Sequence, residues 1–144
     1  MADLLSPAQA ADLAATHKAA FTQSRPWSET EIADLLADQS TFGFGDTRCF
    51  AIVRVIAGEA ELLTLATHPE HQRRGLARAL MPLWQTEAAA RNARDMFLEV
   101  AEDNVPAQQL YLSCGFALFA RRKAYYARHG AASVDALLMK RAFL

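Results

Sequence analysis

Two stretches near the middle of the chain, Cys49 to Ile56 and Glu59 to Thr67, are rich in large apolar and β-branched side chains. The Ala57-Gly58 pair between them makes a tight turn, so the two read as an antiparallel hairpin. Glycine-interrupted Phe42 to Gly45 leads into the first strand, and His68-Pro69 ends the second, because proline stops sheet pairing and bends the chain. The period then changes. Leu76, Leu80, Leu83, Trp84 and Ala88 recur at three- and four-residue spacing, which predicts an amphipathic helix of about four turns. Met96 to Val100 reads as a buried strand, and Asn104 caps a short helix ending at Gly115. Two last strands cover about Phe116 to Tyr125 and Val134 to Arg141. At the N-terminal end, Ser6 caps a helix with Pro7 in its first turn, running to about Phe21. Ser28 caps a second, from Glu29 to about Ala37, with Glu31 as its third residue. This order predicts an α/β (α+β) fold, a mixed, mostly antiparallel sheet with helices on both faces.

No repeat, low-complexity run or long linker interrupts the pattern, so residues 1–144 read as a single domain. With 52% of 144 residues apolar, the chain can build a packed core without disulfide or metal support. A formal net charge of −1 gives no global attraction to nucleic acid or to an anionic membrane, and neither is expected as a partner. The first twenty residues, with Asp3 and Asp12, lack the basic head and apolar stretch of a signal peptide. No run approaches membrane-spanning length, and a cytoplasmic protein is expected. Cys49 and Cys114 fall in apolar sequence, where a free thiol behaves as a small hydrophobe. His68 and His71 have a metal-like spacing, but they occupy a proline turn with no third ligand type nearby, so no metal is expected.

The run Gln72-Arg73-Arg74-Gly75-Leu76-Ala77 sits between a strand pattern and a helix pattern. Glycine at 75 lets backbone approach an anion without a Cβ in the way, and the unpaired N–H groups of the first helical turn sit at the positive end of the dipole. Arg73, Arg74 and Arg78 add full charges. No Gly-Lys-Ser/Thr follows, so this is not a nucleotide P-loop, and the glycine pattern of a dinucleotide fold is missing. A pyrophosphate held by backbone amides with arginine support is the reading that remains.

The pattern Gln/Arg-x-x-Gly-x-Gly/Ala after a strand resembles the acetyl-coenzyme A signature of the GCN5-related N-acetyltransferases, the GNAT family. Leu98 to Asn104, then Leu110-Tyr111 and Cys114-Gly115-Phe116, resemble its second half. Pro26-Trp27-Ser28-Glu29, Arg121 to Tyr126 and Asp135-Ala136 are similar to the bacterial ribosomal-protein-alanine N-acetyltransferases, and the resemblance then covers nearly the whole chain. It implies the GNAT fold and acetyl-coenzyme A as cosubstrate. It also implies an acceptor that is the N-terminal alanine of a small-subunit ribosomal protein. By the same resemblance Glu99 is the base, acting through a water, and Tyr111 the acid that protonates the leaving thiolate. Leu65, Ala66 and Thr67 lie beside the pantetheine arm. Arg73, Arg74, Gly75, Leu76, Ala77 and Arg78 hold the phosphates, and Asn104 bonds the arm.

Physical chemistry sets conditions on these roles. Acetyl transfer from a thioester needs a neutral amine, a polarised carbonyl and a proton for the thiolate. An α-amine with pKa about 8 is roughly a tenth neutral at pH 7, a lysine amine less than about a thousandth. An ordinary glutamate would deprotonate an α-ammonium only at a cost of about 5 kcal/mol, so a base at position 99 calls for burial. The alternatives stay open at this point. Glu99 could only order the acceptor, Tyr111 and Trp27 could be core aromatics, and Tyr125 and Tyr126 could line the acceptor groove or divide between core and solvent. Two departures from the signature matter. Ala77 takes the second glycine position and is expected to narrow the approach to the pyrophosphate, and Arg25 after Thr22-Gln23-Ser24 bears on acceptor choice. Glu99, Glu102 and Asp103 have few basic neighbours in sequence, which predicts an acidic acceptor side. A relative acting on another peptide terminus or a small amine, and a non-catalytic coenzyme A-binding module, are the competing readings.

Overall fold

The computed structural model describes residues 3–22 and 25–143. Gln23 and Ser24, within the segment that precedes Arg25, lie outside the described residues. The elements run in chain order as α1 (Ala10–Ala20), α2 (Glu29–Ala37), β1 (Thr41–Gly45), β2 (Cys49–Ile56), β3 (Glu59–Thr67), α3 (Leu76–Ala90), β4 (Asp95–Ala101), α4 (Val105–Ser113), β5 (Ala117–Arg128) and β6 (Ala131–Ala142). The first helix begins later than the sequence suggests. Pro7–Gln9 form a separate 3₁₀ turn, in which the Gln9 side chain accepts the Ser6 N–H at 2.9 Å. Ser28 caps α2 as expected: its hydroxyl accepts the Glu31 N–H at 3.1 Å while Glu31 accepts the Ser28 N–H at 3.0 Å.

Six strands form one sheet in the order β1-β2-β3-β4-β6-β5. The β2–β3 hairpin turns on Ala57 and Gly58, both at positive φ (53° and 81°), the conformation that follows the twist of a two-residue hairpin. Phe42 to Gly45, which the sequence pattern treats as a lead-in, is a strand in its own right, paired antiparallel with β2 from Thr41 opposite Arg54 to Gly45 opposite Phe50. The last two strands are longer than expected and close into a hairpin.

Among the described residues one strand pairing, β3 with β4, is parallel. β3 and β4 register only from Glu59 opposite Asp95 to Leu62 opposite Leu98. Past that point β3 continues with β2 alone and β4 with β6 alone, so the sheet forks. A bulge coincides with the fork: Ile52 faces Thr64 and Val53 faces Leu62, leaving Leu63 as the extra residue. The bulge inverts the alternation of β3. Ala60 and Leu62 before it, and Leu65 after it, belong to the core under α3, whereas Ala66 belongs to the core under α1 and α2.

Each sheet face buries its own core. On one side Leu80, Met81, Trp84 and Ala88 of α3 pack on β1–β4, with Tyr111 of α4 and Phe116. Leu83, assigned to this stripe by its spacing, is 37% exposed instead. Pro82 lies inside α3 and removes one ladder hydrogen bond, yet the helix continues across it, with Trp84 fully buried two residues on. On the other side Leu13 of α1 and Ile32 of α2 cover Phe50, Ile52 and Ala66. No described helix is long and apolar enough to cross a membrane.

His17 organises this second core. It is 3% exposed, stacks on Phe21 at 4.3 Å and on Trp27 at 5.0 Å between ring centroids, and its Nδ1 accepts the Trp27 N–H at 3.1 Å. Trp27 is therefore a core anchor, as one of its two readings had it. Burial holds the His17 imidazole down to a pKa of about 4. Above pH 6.5 the group is neutral in both folded and unfolded chains. Between pH 6.5 and 4 only the unfolded chain takes up the proton, so stability falls as pH drops, by about 1.4 kcal/mol per pH unit. Thermal unfolding at pH 7, 6 and 5 should show this slope, and His17→Gln should flatten it; an equal slope in the variant would assign the effect to other groups.

Candidate active site

The anion cradle lies at the N-terminus of α3. Gly75 is the N-cap at φ +75°, and a Cβ placed there would meet no atom within 4 Å, so the turn opens onto free space. The first helical bond runs from Ala79 N–H to the Gly75 carbonyl at 3.0 Å. The N–H groups of Gly75, Leu76, Ala77 and Arg78 thus find no acceptor among the described residues and face outward together. Arg73, itself at φ +63°, and Arg74 are exposed beside them. Arg74 Nη1 lies 3.2 Å from His71 Nδ1, and Arg78 Nη1 donates to Ser113 Oγ at 3.0 Å, which ties α3 to α4. The expectation that Ala77 narrows the cradle is corrected here. Leu76 and Ala77 both pack their side chains against the α3-side core, so the alanine methyl is turned away from the approaching anion.

The fork opens beside this cradle. The His68 N–H donates to the Arg48 carbonyl at 2.8 Å, which makes these two a hydrogen-bonded pair. Because hydrogen-bonded and non-bonded pairs alternate in an antiparallel ladder, Ala66 bonds Phe50 while the backbone groups of Leu65 and Thr67 turn away from β2, into the fork. Of the three residues expected beside a pantetheine arm, Leu65 and Thr67 offer free backbone groups. Ala66 does not, since its backbone belongs to β2 and its side chain to the opposite core. Asn104 follows three residues after β4, one prong of the fork. Its Oδ1 caps α4, accepting the Ala107 N–H at 3.3 Å, and its Nδ2 makes no hydrogen bond to a described residue.

Glu99 and Tyr111 flank the fork from opposite faces of the sheet. Met96, Leu98 and Val100 point into the α3-side core, so alternation turns Phe97, Glu99 and Ala101 toward the α1 and α2 side. Tyr111 lies on the α3 side, 6% exposed, its ring edge-on to Phe116 at 6.2 Å. Its hydroxyl has no hydrogen-bond partner among the described residues, where no sealed side-chain oxygen lacks one, so the hydroxyl is not sealed from the outside. Burial pushes the phenol well above the usual tyrosine range. Glu99 departs from expectation: its side chain is 27% exposed and pairs with Arg122 Nη2 at 3.4 Å. The position supplies a cation and solvent in place of the burial that a strong base would need.

The acidic acceptor side is a second correction. Arg121 pairs with Glu102 at 2.9 Å and Asp135 at 3.0 Å, and Arg128 clasps Asp103 through two bonds of 2.8 Å. With Arg122 on Glu99, every carboxylate of the cluster is matched. The arginines come from β5, distant in sequence, and only the sheet order brings them across. Arg25, exposed, grips Glu31 through its guanidinium at 2.7 and 3.0 Å.

Sequence reasoning missed the device that aims β5. Arg122 faces Ala136 and Tyr126 faces Val134, so three residues, Lys123 to Tyr125, bulge opposite Asp135 alone. Asp135 fills the gap, its Oδ1 accepting the N–H of Ala124, which sits at φ +50°, at 2.8 Å. The Tyr125-Tyr126 pair divides as alternation allows. Tyr125 is 51% exposed, whereas Tyr126 is half-buried near Glu99, and burial pushes its phenol up to about 12. The signal that could have been read is the short polar Asp135 inside an apolar strand.

His68 and His71 serve the turn. His68 Nδ1 accepts the Glu70 N–H at 3.2 Å, and among the described residues no group of three or more His, Cys, Asp or Glu side chains could hold a metal ion. Both cysteines are free thiols, and Cys49 Sγ lies 3.3 Å from Thr67 Oγ1 at the fork.

A sheet split next to a helix N-terminus that offers unpaired amides fits a phosphate-bearing arm running into the sheet. This is the arrangement of acyltransferases that draw on a coenzyme A thioester. The chain belongs to the acetyltransferase (GNAT) family, whose pattern matches residues 15–116. The ribosomal protein bS18-alanine N-acetyltransferase of Escherichia coli (strain K12) is 36% identical over 128 residues, 85% of this chain and 86% of that protein. The crystal structure of the ribosomal-protein-S18-alanine N-acetyltransferase from Escherichia coli superposes with a TM-score of 0.87 at 30% identity, covering 99% of this chain and 94% of the other. Arabidopsis thaliana NAA60, solved with acetyl-CoA, shares the fold at a TM-score of 0.85 and 15% identity, over 99% and 98% of the two chains. The chain is an N-acetyltransferase with acetyl-coenzyme A as cosubstrate, which removes the non-catalytic module from consideration.

Proposed function

We propose that residues 1–144 form one catalytic domain that acts in the cytoplasm and acetylates the N-terminal alanine of a small-subunit ribosomal protein. The observation that carries the reading is the fork itself, with the cradle at one end and Glu99 and Tyr111 on its two faces. The likeness to the bS18-alanine enzyme of Escherichia coli supports the acceptor. In this reading the amides of Gly75 to Arg78, with Arg73 and Arg74, hold the pyrophosphate. Arg78 is shared with Ser113, so it contributes charge at the rim more than direct grip. The free N–H groups of Leu65 and Thr67 hydrogen-bond the arm and polarise carbonyl oxygen along it, and Asn104 Nδ2 donates to the same arm.

Bond making and breaking then divide between the two faces. The acceptor nitrogen enters from the α1 and α2 side, where Glu99 takes its proton through a water and passes it outward to solvent, which the carboxylate reaches. As the N–C bond forms and the C–S bond breaks, Tyr111 Oη donates a proton to the departing sulfur from the opposite face and regains one from solvent to close the cycle. The raised pKa keeps Tyr111 loaded with that proton throughout the physiological range.

Incubation with acetyl-coenzyme A and a peptide panel, read by product mass, tests the acceptor. An alanine-starting peptide should gain one acetyl group at its α-amine, and prior blocking of that amine should abolish the product. Because the carboxylates around Glu99 are each matched by an arginine, basic and acidic alanine-starting peptides should differ by less than an unpaired acidic groove would dictate. Turnover of free polyamines or lysine side chains alone would sink the ribosomal-protein acceptor and leave the acetyltransferase assignment standing.

A further inference from the structure

The contact between Arg122 and Glu99 is unusual for its place. An enzyme that must bind a protonated amine and then strip its proton has set a permanent cation on the carboxylate that would greet it. We propose that Arg122 is a positioning residue: paired with Glu99, it keeps the bound acceptor amine in its neutral, nucleophilic form. The inference rests on the reading of Glu99 as the group that receives the amine's proton.

The geometry is built, not incidental. The bulge over Lys123 to Tyr125, pinned by Asp135 at 2.8 Å, sends Arg121 to Glu102 and Asp135 while Arg122 goes to Glu99. Arg122 lies opposite Ala136, the β6 partner of Ala101, so it reaches Glu99 across the middle strand. Its guanidinium carbon also sits 5.2 Å from the centroid of the Tyr125 ring, which limits where the side chain can swing. The other charged and titratable neighbours do not substitute for it. Tyr126 of β5 faces Glu99 as a neutral phenol. From β6 the partner of Glu99 is Leu138, and Lys140, farther along, lies over Phe119 at 5.4 Å. On β3 the acid is Glu61, opposite Phe97 and engaged by Arg54 at 3.3 Å. Neither α1 nor α2 offers Glu99 a hydrogen bond or ion pair among the described residues.

A bare carboxylate beside an amine stabilises the ammonium form, which binds well and cannot attack. A guanidinium in the same contact cancels that field and releases the proton at lower pH. For a partly solvated pair at such distances the difference is about one pH unit in the amine's titration. Removing the cation should therefore move binding and turnover in opposite directions, a split that loss of packing does not produce.

The test measures kcat and KM for an alanine-starting peptide from pH 6.5 to 10 in the wild type, Arg122→Gln, Arg122→Lys and Glu99→Gln, with acetyl-coenzyme A affinity as the control for folding. In Arg122→Gln the peptide KM at pH 7 should fall several-fold while kcat falls about tenfold. The rise of kcat with pH should shift up by about one unit, so that the two enzymes converge near pH 10. Arg122→Lys should return the rise to its original place. An unshifted profile in Arg122→Gln, or a loss equal at every pH, overturns the proposal. If Glu99→Gln is impaired while the Arg122→Gln profile stays put, only the role of Arg122 fails. Wild-type kcat in Glu99→Gln would overturn the proton-acceptor reading and this inference with it.

Discussion

Tyr111→Phe is expected to lower kcat by roughly ten- to ten-thousand-fold, the range over which a positioned acid or base contributes, while acetyl-coenzyme A affinity stays within a few-fold. The substitution is unusually clean. The ring is 6% exposed and packs edge-on against Phe116, contacts that phenylalanine keeps. The hydroxyl donates to no group among the described residues, so its removal strands no buried partner there and thermal stability should change little. Burial raises the phenol's pKa, and the proton-loaded form therefore persists at every pH below about 10. The wild-type profile should show no alkaline fall from this residue in that range. Wild-type kcat in the variant would reduce Tyr111 to a core aromatic and send the search for the proton donor to Tyr126.

Gly75→Val should leave a folded domain that has lost acetyl-coenzyme A affinity by at least about a hundredfold. Two effects combine in the cradle. A branched side chain at φ +75° is strained by about 1–2 kcal/mol, and its methyls occupy the space in front of four outward N–H groups. Neither effect reaches the core, because a Cβ at this exposed position meets nothing within 4 Å. A melting temperature lowered by only a few degrees, together with calorimetric loss of binding, is the expected pair of results. Retained affinity in a folded Gly75→Val variant would mean that the phosphates sit elsewhere.

Much of this protein follows from local rules that act within a dozen residues. Helix caps at Ser28 and Asn104, the Ala57-Gly58 turn, the proline stop after Thr67 and the Gly75 cradle are each decided by a few backbone angles and one or two side-chain hydrogen bonds. The local pattern accordingly announced the strand–loop–helix anion site, and the resemblance to the GNAT signature added the coenzyme A chemistry. Periodicity misjudged Leu83, which is left exposed, and the single helix drawn through Pro7, where a separate 3₁₀ turn closes on the Ser6–Gln9 hydrogen bond instead.

Tertiary structure decided the rest, because the rest consists of pairings between distant segments. Sheet order places β6 between β4 and β5, so arginines of β5 meet Glu99, Glu102 and Asp103, and an apparently acidic strand end becomes electrically matched. A single extra residue, Leu63, inverts the alternation of β3 and opens the sheet where β4 departs. Strand pairing likewise sets Glu99 on one face, and the docking of α4 on the sheet sets Tyr111 on the other. No count along the sequence contains that fact, since it depends on which strands pair and where they stop.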